Sequence, residues 1–513
     1  MTDTEGLHLM RVTIEATSPI SIGSMESEIE AVAGEIESAD GKSEKRQVTV
    51  PALIRGPSGL PAVPAASLRG GLRDLAERHE NKEFVKTYFG FAGRNHTGAA
   101  SLISFGWGHA HDSEDQCYRG ATLPPEGDTF LKILHQAKPL VRDHVAINQF
   151  GVVDGRGKFM RAAVPVGTRF SFEFSANGEE SGAVKDALIA LLHLMACRDL
   201  TLGWGTSRGY GGARLVRASH QWFSYDESGI HALFTARLEP QSTPLSRKLD
   251  LPDAWHEGQL REFEIETEDF IRVGGRADGA KCFIDSEDGT RSARDIKPWP
   301  GFVDDGSGRD NTLTLLAEPT FRWSGKERVV TRFSLPGSAV KGPLAHRTLY
   351  WWNKLSGQTI DPDDPRSLEK LDEFSRRDAT LQAMFGAIKE TAVKGGRRSA
   401  LDVEESSFDA DYIAKQDHVS IDRFTSGPRD RDGALFSEEL LFDASAKLAF
   451  RLRKPKDIEE PDWHLAVKAL DLAIRDLAEG RLSLGGRGHG TMQLAENTTA
   501  PIFGAESERG ASS

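Results

Sequence analysis

The phrase DHVAINQF at residues 143–150 returns as DHVSIDRF at residues 417–424. A chain that repeats itself over such a distance folds as two similar units, each with its own core, and a length of 513 residues leaves room for both. Further correspondences keep the same order. Each half opens on an alternating apolar stretch that reads as a strand, LHLMRVTIEA (7–16) and LREFEIETED (260–269). Next come VPAASLRGGL (63–72) and LPGSAVKGPL (335–344), then YFGFAG (88–93) and MFGAIK (384–389). After the repeated phrase, VPVGTRFSFEF (164–174) and LLFDASAKLAFRL (440–452) read as strands. A helix follows each, with Val184, Leu188, Leu191 and Met195 on one face of the first and Val467, Leu470, Ile474 and Leu477 on one face of the second. Both halves close on a glycine-rich loop, LTLGWGTSRGYGGARL (200–215) and LSLGGRGHGTMQL (482–494).

These matches divide the chain into a first domain at 1–237, a Pro- and Ser-containing linker at 238–258 and a second domain at 259–496. The second domain carries a Gly- and Asp-rich insertion at 277–311, and a tail at 497–513 is expected to be disordered. Within each copy the order is strand, loop, helix, several strands, helix, strand. That order predicts an α+β fold of two tandem ferredoxin-like units with antiparallel sheets and helices on one face, the arrangement also used by RNA-recognition folds.

Composition narrows the function. Cys117, Cys197 and Cys282 have no C-x-x-C spacing, which argues against a disulfide framework or a zinc ribbon. His109, His111 and Cys117 lie close together in HAHDSEDQC but lack an evident fourth ligand, and the segment reads as a solvated loop. There is no run of eighteen apolar residues, and the opening MTDTEGLHLM lacks the features of a signal peptide, so a reducing cytoplasm and no membrane are expected. The net charge of −13 does not advertise a nucleic-acid binder. Acidic residues gather, however, in ESEIEAVAGEIESADG and DPDDPRSLEKLDE, apart from the arginine-bearing loops.

Those loops carry an RNA-binding pattern. Gly70 and Gly342 occupy the same place inside the two matched helices, where glycine costs about 1 kcal/mol against alanine. Two readings explain a penalty kept twice: close helix–sheet packing, or the approach of a phosphate to a helix start carrying Ser67 and Arg69, or Ser338 and Lys341. The closing loops offer Arg208 with Tyr210, and Arg487 with His489, an arginine for phosphate beside a ring for base stacking. Two hairpins, GVVDGRGKFMRAAVP (151–165) and TSGPRDRDGALFSEELL (425–441), place Arg156, Lys158, Arg429 and Arg431 near their tips. Beside them Phe159, Met160, Leu435 and Phe436 either wedge between bases or tuck back onto the protein.

Taken together, VPAASLRGGLRD, LPGSAVKGPLAHR, the Phe-Gly pairs at 89–90 and 385–386, HVSIDRFTSGPRDRDGALFSEE and both glycine loops resemble the CRISPR RAMP (repeat-associated mysterious protein) superfamily. The likeness spans nearly the whole chain, twice. It points to the backbone subunits of type III effector complexes, the Cas-seven group, with two units fused. What the resemblance implies is a subunit that polymerises along CRISPR RNA, extends thumb hairpins into the guide–target RNA duplex, and works beside other RAMP backbone subunits and the large and small subunits. Ile421-Asp422-Arg423 fits the family pattern, implying RNA contact by Asp422 and Arg423, whereas Ile147-Asn148-Gln149 departs from it.

In active relatives an aspartate before the RNA-binding helix cuts target RNA with a divalent metal, and it lies just before a proline that precedes an arginine. The first copy has Val48, Thr49 and Pro51 there, with Asp40 and Glu44 the nearest acids upstream. A hydroxyl or apolar group does not hold a hard cation. The second copy has Glu318 before Pro319 and Arg322, and its insertion adds Asp304, Asp305 and Asp310. The expectation is one Mg2+- or Mn2+-dependent cutting site, in the second half. The alternatives are a metal-independent guide-processing endoribonuclease of the same superfamily, using His79 or His346, and an RNA-binding module unrelated to CRISPR.

Overall fold

A computed structural model describes residues 5–30, 35–37, 43–45, 48–93, 98–119, 127–147, 153–197, 200–238, 245, 247–253, 259–274, 297–298, 312–325, 327–358, 366, 378–387, 396–419, 421–422, 424–427, 435–485, 490–495 and 503–504. The first unit is built on β1 (Glu5–Ala16), α1 (Ala65–His79), α2 (Lys82–Phe89), β2 (Gly108–Ala110), α3 (Thr129–Leu134) and the hairpin β3 (Leu140–Ile147) with β4 (Val153–Ala163). It continues through β5 (Arg169–Glu179), α4 (Ala183–Met195), β6 (Ala213–Ser224), α5 (Glu227–Leu238) and β7 (Arg247–Leu249). Its sheet runs β7-β6-β1-β5-β2, antiparallel throughout. Leaving β7 aside, this is the ferredoxin-like order.

Period-two alternation fixes the faces. Met10, Val12 and Ile14 stand opposite Phe174, Phe172 and Phe170, and all six are buried under α1 and α4. Burying each such side chain contributes about 1.5–3 kcal/mol. Leu188, Leu191 and Met195 are buried as their spacing predicts, with Val184 packed at the margin.

The second unit repeats the scheme with β8 (Gln259–Ile271), β9 (Ala317–Phe321), β10 (Val329–Leu335), α6 (Gly337–Leu355), α7 (Ala379–Phe385), β11 (Ser406–Val419), β12 (Leu435–Leu452), α8 (Glu460–Ala478) and β13 (Thr491–Leu494). The sheet order β13-β8-β12-β11 reproduces that of the first unit, with β10 and β9 added at the edge. The chain is therefore two tandem ferredoxin-like domains. Two boundary expectations change. Within the 238–258 linker, β7 pairs with β6, so part of that segment belongs to the first sheet. In the 497–513 tail, Phe503 is buried in the second core because Asp471 accepts its backbone N–H at 2.9 Å and that of Gly504 at 3.1 Å. Of the 277–311 insertion, Lys297–Pro298 runs beside β11, and 277–296 and 299–311 lie outside the described residues.

The two units interlock. Phe321 at the end of β9 stacks on Phe130 of α3 at 4.1 Å and joins the first core. Its backbone N–H donates to the Val166 carbonyl at 2.8 Å, and the Trp323 indole donates to the Gly167 carbonyl at 2.7 Å. In return the first unit sends Arg142 of β3 into the second. Its guanidinium donates to Glu318 through Nε and Nη2, both at 2.5 Å, and to Glu405 through Nη2 at 2.5 Å and Nη1 at 3.1 Å. Arg142 and Glu318 are fully enclosed, and Ser334 donates a further bond to Glu318 at 2.6 Å.

Removing one partner of a buried ion cluster strands the others. Arg142→Met is expected to cost ~3–5 kcal/mol in urea unfolding, and adding Glu318→Gln with Glu405→Gln should recover most of it. A loss below ~1 kcal/mol in the single variant would show that the cluster does not hold the units together.

Candidate nucleic-acid interface

The repeated helix starts face opposite situations. Helices α1 and α6 follow Pro64 and Pro336, neither of which can cap its helix with its own side chain. Gly70 and Gly342 lie on exposed turns, and a methyl group at either position would meet no atom within 4 Å. Helix–sheet packing therefore does not account for them. Gly71 is the packing glycine, since a Cβ there would meet Leu202 Cδ2 at 3.1 Å and the Thr201 carbonyl at 3.2 Å. Ser67 and Ser338 sit half-buried beside this open face, and Arg69 reaches back to donate to the Phe89 carbonyl at the end of α2.

Lys341 is a correction. It is buried, not presented to a phosphate, and its Nζ donates to the Leu401 carbonyl and Ser399 Oγ at 2.7 Å and to the Ser207 carbonyl at 3.0 Å. Ser399 and Leu401 belong to the second unit, and the Ser207 carbonyl is within reach because the first unit's glycine loop docks on α6. A short 3₁₀ turn, Thr206–Arg208, is flanked by Gly205 and Gly209 with φ of 74° and 90°, values that favour glycine. A Cβ at Gly209 would stand 2.9 Å from the Gly337 amide nitrogen, and one at Gly337 only 2.3 Å from the Val403 carbonyl. The Gly337 N–H donates to Glu405, so the start of α6 already holds a carboxyl group from its own chain, one that burial pushes up to about 7.

Tyr210 is a second correction: it does not offer a ring to a base. It is buried under the Arg142 guanidinium, 5.1 Å from the ring, and its hydroxyl shares a hydrogen bond with His144 Nε2 at 2.7 Å. Arg208 remains exposed and lies over Trp204, 5.8 Å from the ring centre. Trp204, which sequence reasoning passed over, also lies 4.6 Å below the Arg161 guanidinium. Arg487 and His489 lie outside the described residues.

Both hairpins are built on the same cross-strand pair. His144 stands opposite Phe159 and His418 opposite Phe436, each stacked at 5.0 Å with planes 15° apart. Phe159 and Phe436 thus tuck back, and Met160 is buried in the first core, so none of the three is a projecting wedge. Among the described hairpin residues Val145, Val419, Ile421 and Phe424 are the exposed large apolar ones, Phe424 the most, at 98%. Asp422 sets Phe424 there. Its Oδ1 accepts the Phe424 and Thr425 N–H groups, both at 2.9 Å, in an Asx turn that tips Phe424 outward. These N–H bonds, from Thr425 and then Phe424, hold the carboxyl below the usual range. Asp422 is thus a turn former and not a phosphate contact. Its contribution is legible in the repeated phrase, because asparagine at 148 has the same turn chemistry. Arg423, Arg429 and Arg431, and the side chains of Arg156, Lys158 and Leu435, lie outside those described.

Glu318 is corrected as a cutting residue. A carboxylate enclosed by Arg142 and Ser334 has no lone pair turned to solvent for a hard cation. Among the described residues no cluster of His, Cys, Asp and Glu fits a metal ion, while Asp304, Asp305 and Asp310 lie outside them.

The hairpin root is acid-sensitive. Burial, then the charges of Arg142, Arg208 and Arg161, pushes His144 down to about 4. The unfolded chain therefore binds more protons between pH ~6.5 and 4, and stability falls as pH drops through that window. The expected result is an unfolding midpoint that declines from pH 6.5 to 5, with a shallower decline in His144→Phe. An equal slope in both proteins would contradict it.

A sequence model of the RAMP superfamily matches residues 13–214 and 325–493. None of the curated proteins matches the chain, and among the described residues no helix is long and apolar enough to cross a membrane. One matched stretch falls in each of the two units, and the chain belongs to the RAMP superfamily as a CRISPR-associated RNA-binding module made of two RAMP units.

Proposed function

We propose that this chain is a backbone subunit of a type III CRISPR effector complex, two units fused, that holds CRISPR RNA and the target RNA paired to it. The observation that carries this reading is the open helix face at Gly70 and Gly342, where a Cβ would meet no neighbour among the described residues outside its own helix. A phosphate backbone approaching that face explains the helix penalty that both copies bear. Arg208 beside Trp204 supplies charge and a planar ring on the first unit. Phe424 and Ile421, held outward by the Asp422 turn, supply the apolar wedge on the second.

The docking of the first glycine loop on α6 serves as a template for the neighbouring backbone subunits. In this reading a loop from a preceding RAMP subunit docks on α1 as the loop with Ser207 and Gly209 docks on α6. The large and small subunits complete the partners. Target cutting, in this reading, is left to Asp304, Asp305 and Asp310 with Mg2+ or Mn2+, because the described residues do not fit a metal.

Two experiments test the reading. Gly70→Leu with Gly342→Leu should keep or slightly raise the thermal midpoint, since leucine is the better helix former, while weakening single-stranded RNA binding at least tenfold, about 1.4 kcal/mol. Unchanged RNA affinity would remove the helix face from the interface. For cutting, Asp304→Asn/Asp305→Asn/Asp310→Asn should abolish Mg2+-dependent cleavage of guide-paired RNA without loss of RNA binding. Cleavage that survives the triple change would exclude those acids.

A further inference from the structure

The face of the first sheet turned away from α1 and α4 carries chemistry that RNA holding does not use. Arg11 and Thr13 of β1 and Ser171 of β5 project there, and the segment 111–119 folds across them to enclose a cavity of about 330 Å3. The segment is not the solvated loop that its composition suggests, because His111 is buried. His111 and Cys117 face each other across an isolated bridge, and both line the cavity.

The imidazole is fixed from both sides, with Nδ1 2.9 Å from Asp115 Oδ1 and Nε2 2.8 Å from Ser171 Oγ. Asp115 is held in turn by Arg169 at 3.1 Å and by Arg217. It adopts a left-handed backbone with φ of 65°, a strained conformation of the kind that clusters at functional sites. On its other side the Cys117 thiol meets Arg119, which also donates to Glu173 at 3.0 Å. Burial opposes ionisation of the thiol, yet His111 and then Arg119 draw it below the ordinary thiol range. The same contacts, from Asp115 and Cys117, raise His111 against its burial. The Cys117 S–H donates to the His109 carbonyl at 3.6 Å, and a histidine and a guanidinium beside the same sulfur, with a carboxylate at the ring, form a setting that favours a nucleophilic thiolate.

We propose that Cys117 is a reactive thiolate and a covalent modification site for small anionic disulfides of the glutathione type. Arg11, Arg217 and Lys248 line the same cavity and suit the carboxylates of such a reagent. The Cys117 thiolate attacks one sulfur of the disulfide. A new S–S bond forms as the old one breaks, the departing thiolate takes a proton from water, and Cys117 is oxidised while that sulfur is reduced. Cys197, fully buried, is the internal control.

The test uses the full-length chain carrying Cys282→Ser, treated with oxidised glutathione and read by intact mass and peptide mapping. One glutathionyl group at Cys117 is expected, absent in Cys117→Ser and reversed by dithiothreitol. The pH–rate midpoint for alkylation should lie below the roughly 8.5 of a free thiol. The rate ratio of iodoacetate to iodoacetamide should exceed that of free glutathione at least threefold, and Arg119→Gln should raise the midpoint and shrink the ratio. Because the alkylation profile is read on the folded protein bearing its natural Cys117, it stands even if a variant fails to fold. An unmodified Cys117, or a midpoint and ratio equal to those of a free thiol, overturns the proposal.

Discussion

One arginine joins the two halves. Arg142 faces two carboxyl groups, Glu318 and Glu405; burial and the neighbouring Glu318 push Glu405 up to about 7, while the Ser334 hydroxyl donates to Glu318 and the Gly337 amide at the start of α6 donates to Glu405. A guanidinium suits the task because its planar fork bonds both carboxylates at once. Such a cluster adds little net stability over apolar packing, but it penalises any docking that leaves a charge without its partner. It therefore fixes how one unit sits on the next, and with it the spacing of the open helix faces and hairpins that repeat along the chain.

The same docking explains why equivalent residues do different work in the two copies. The Lys341 side chain is spent on the first unit's loop, whereas Arg69 at the matched helix position reaches the Phe89 carbonyl. Glu405 fills the start of α6, whereas Pro64 before α1 cannot cap its helix with its own side chain. Duplication preserved the fold and its register, and fusion used one of the two helix starts as an internal joint.

Much of this was legible in the sequence. Alternation in LHLMRVTIEA placed Met10, Val12 and Ile14 on the core side, and helical spacing placed Leu470, Ile474 and Leu477 in the second core. The repeated glycine at 70 and 342 was visible, although choosing between packing and ligand approach needed the space around it. Glu318 misled because its position before Pro319 gives chain location and not burial. Its partner Arg142 is 176 residues away, beyond any local pattern. Tyr210 looked like a stacking ring beside an arginine, yet the guanidinium it packs against belongs to another strand, β3. Phe424 lay in the most conspicuous phrase of the chain, but its exposure depends on the turn that Asp422 makes.

The most direct test of the central claim is to purify the protein together with the products of neighbouring genes and sequence the RNA that accompanies it. The account predicts short RNAs that share one constant end and differ elsewhere, as guides transcribed from a repeat array must. A heterogeneous population, or no RNA at all, would contradict it.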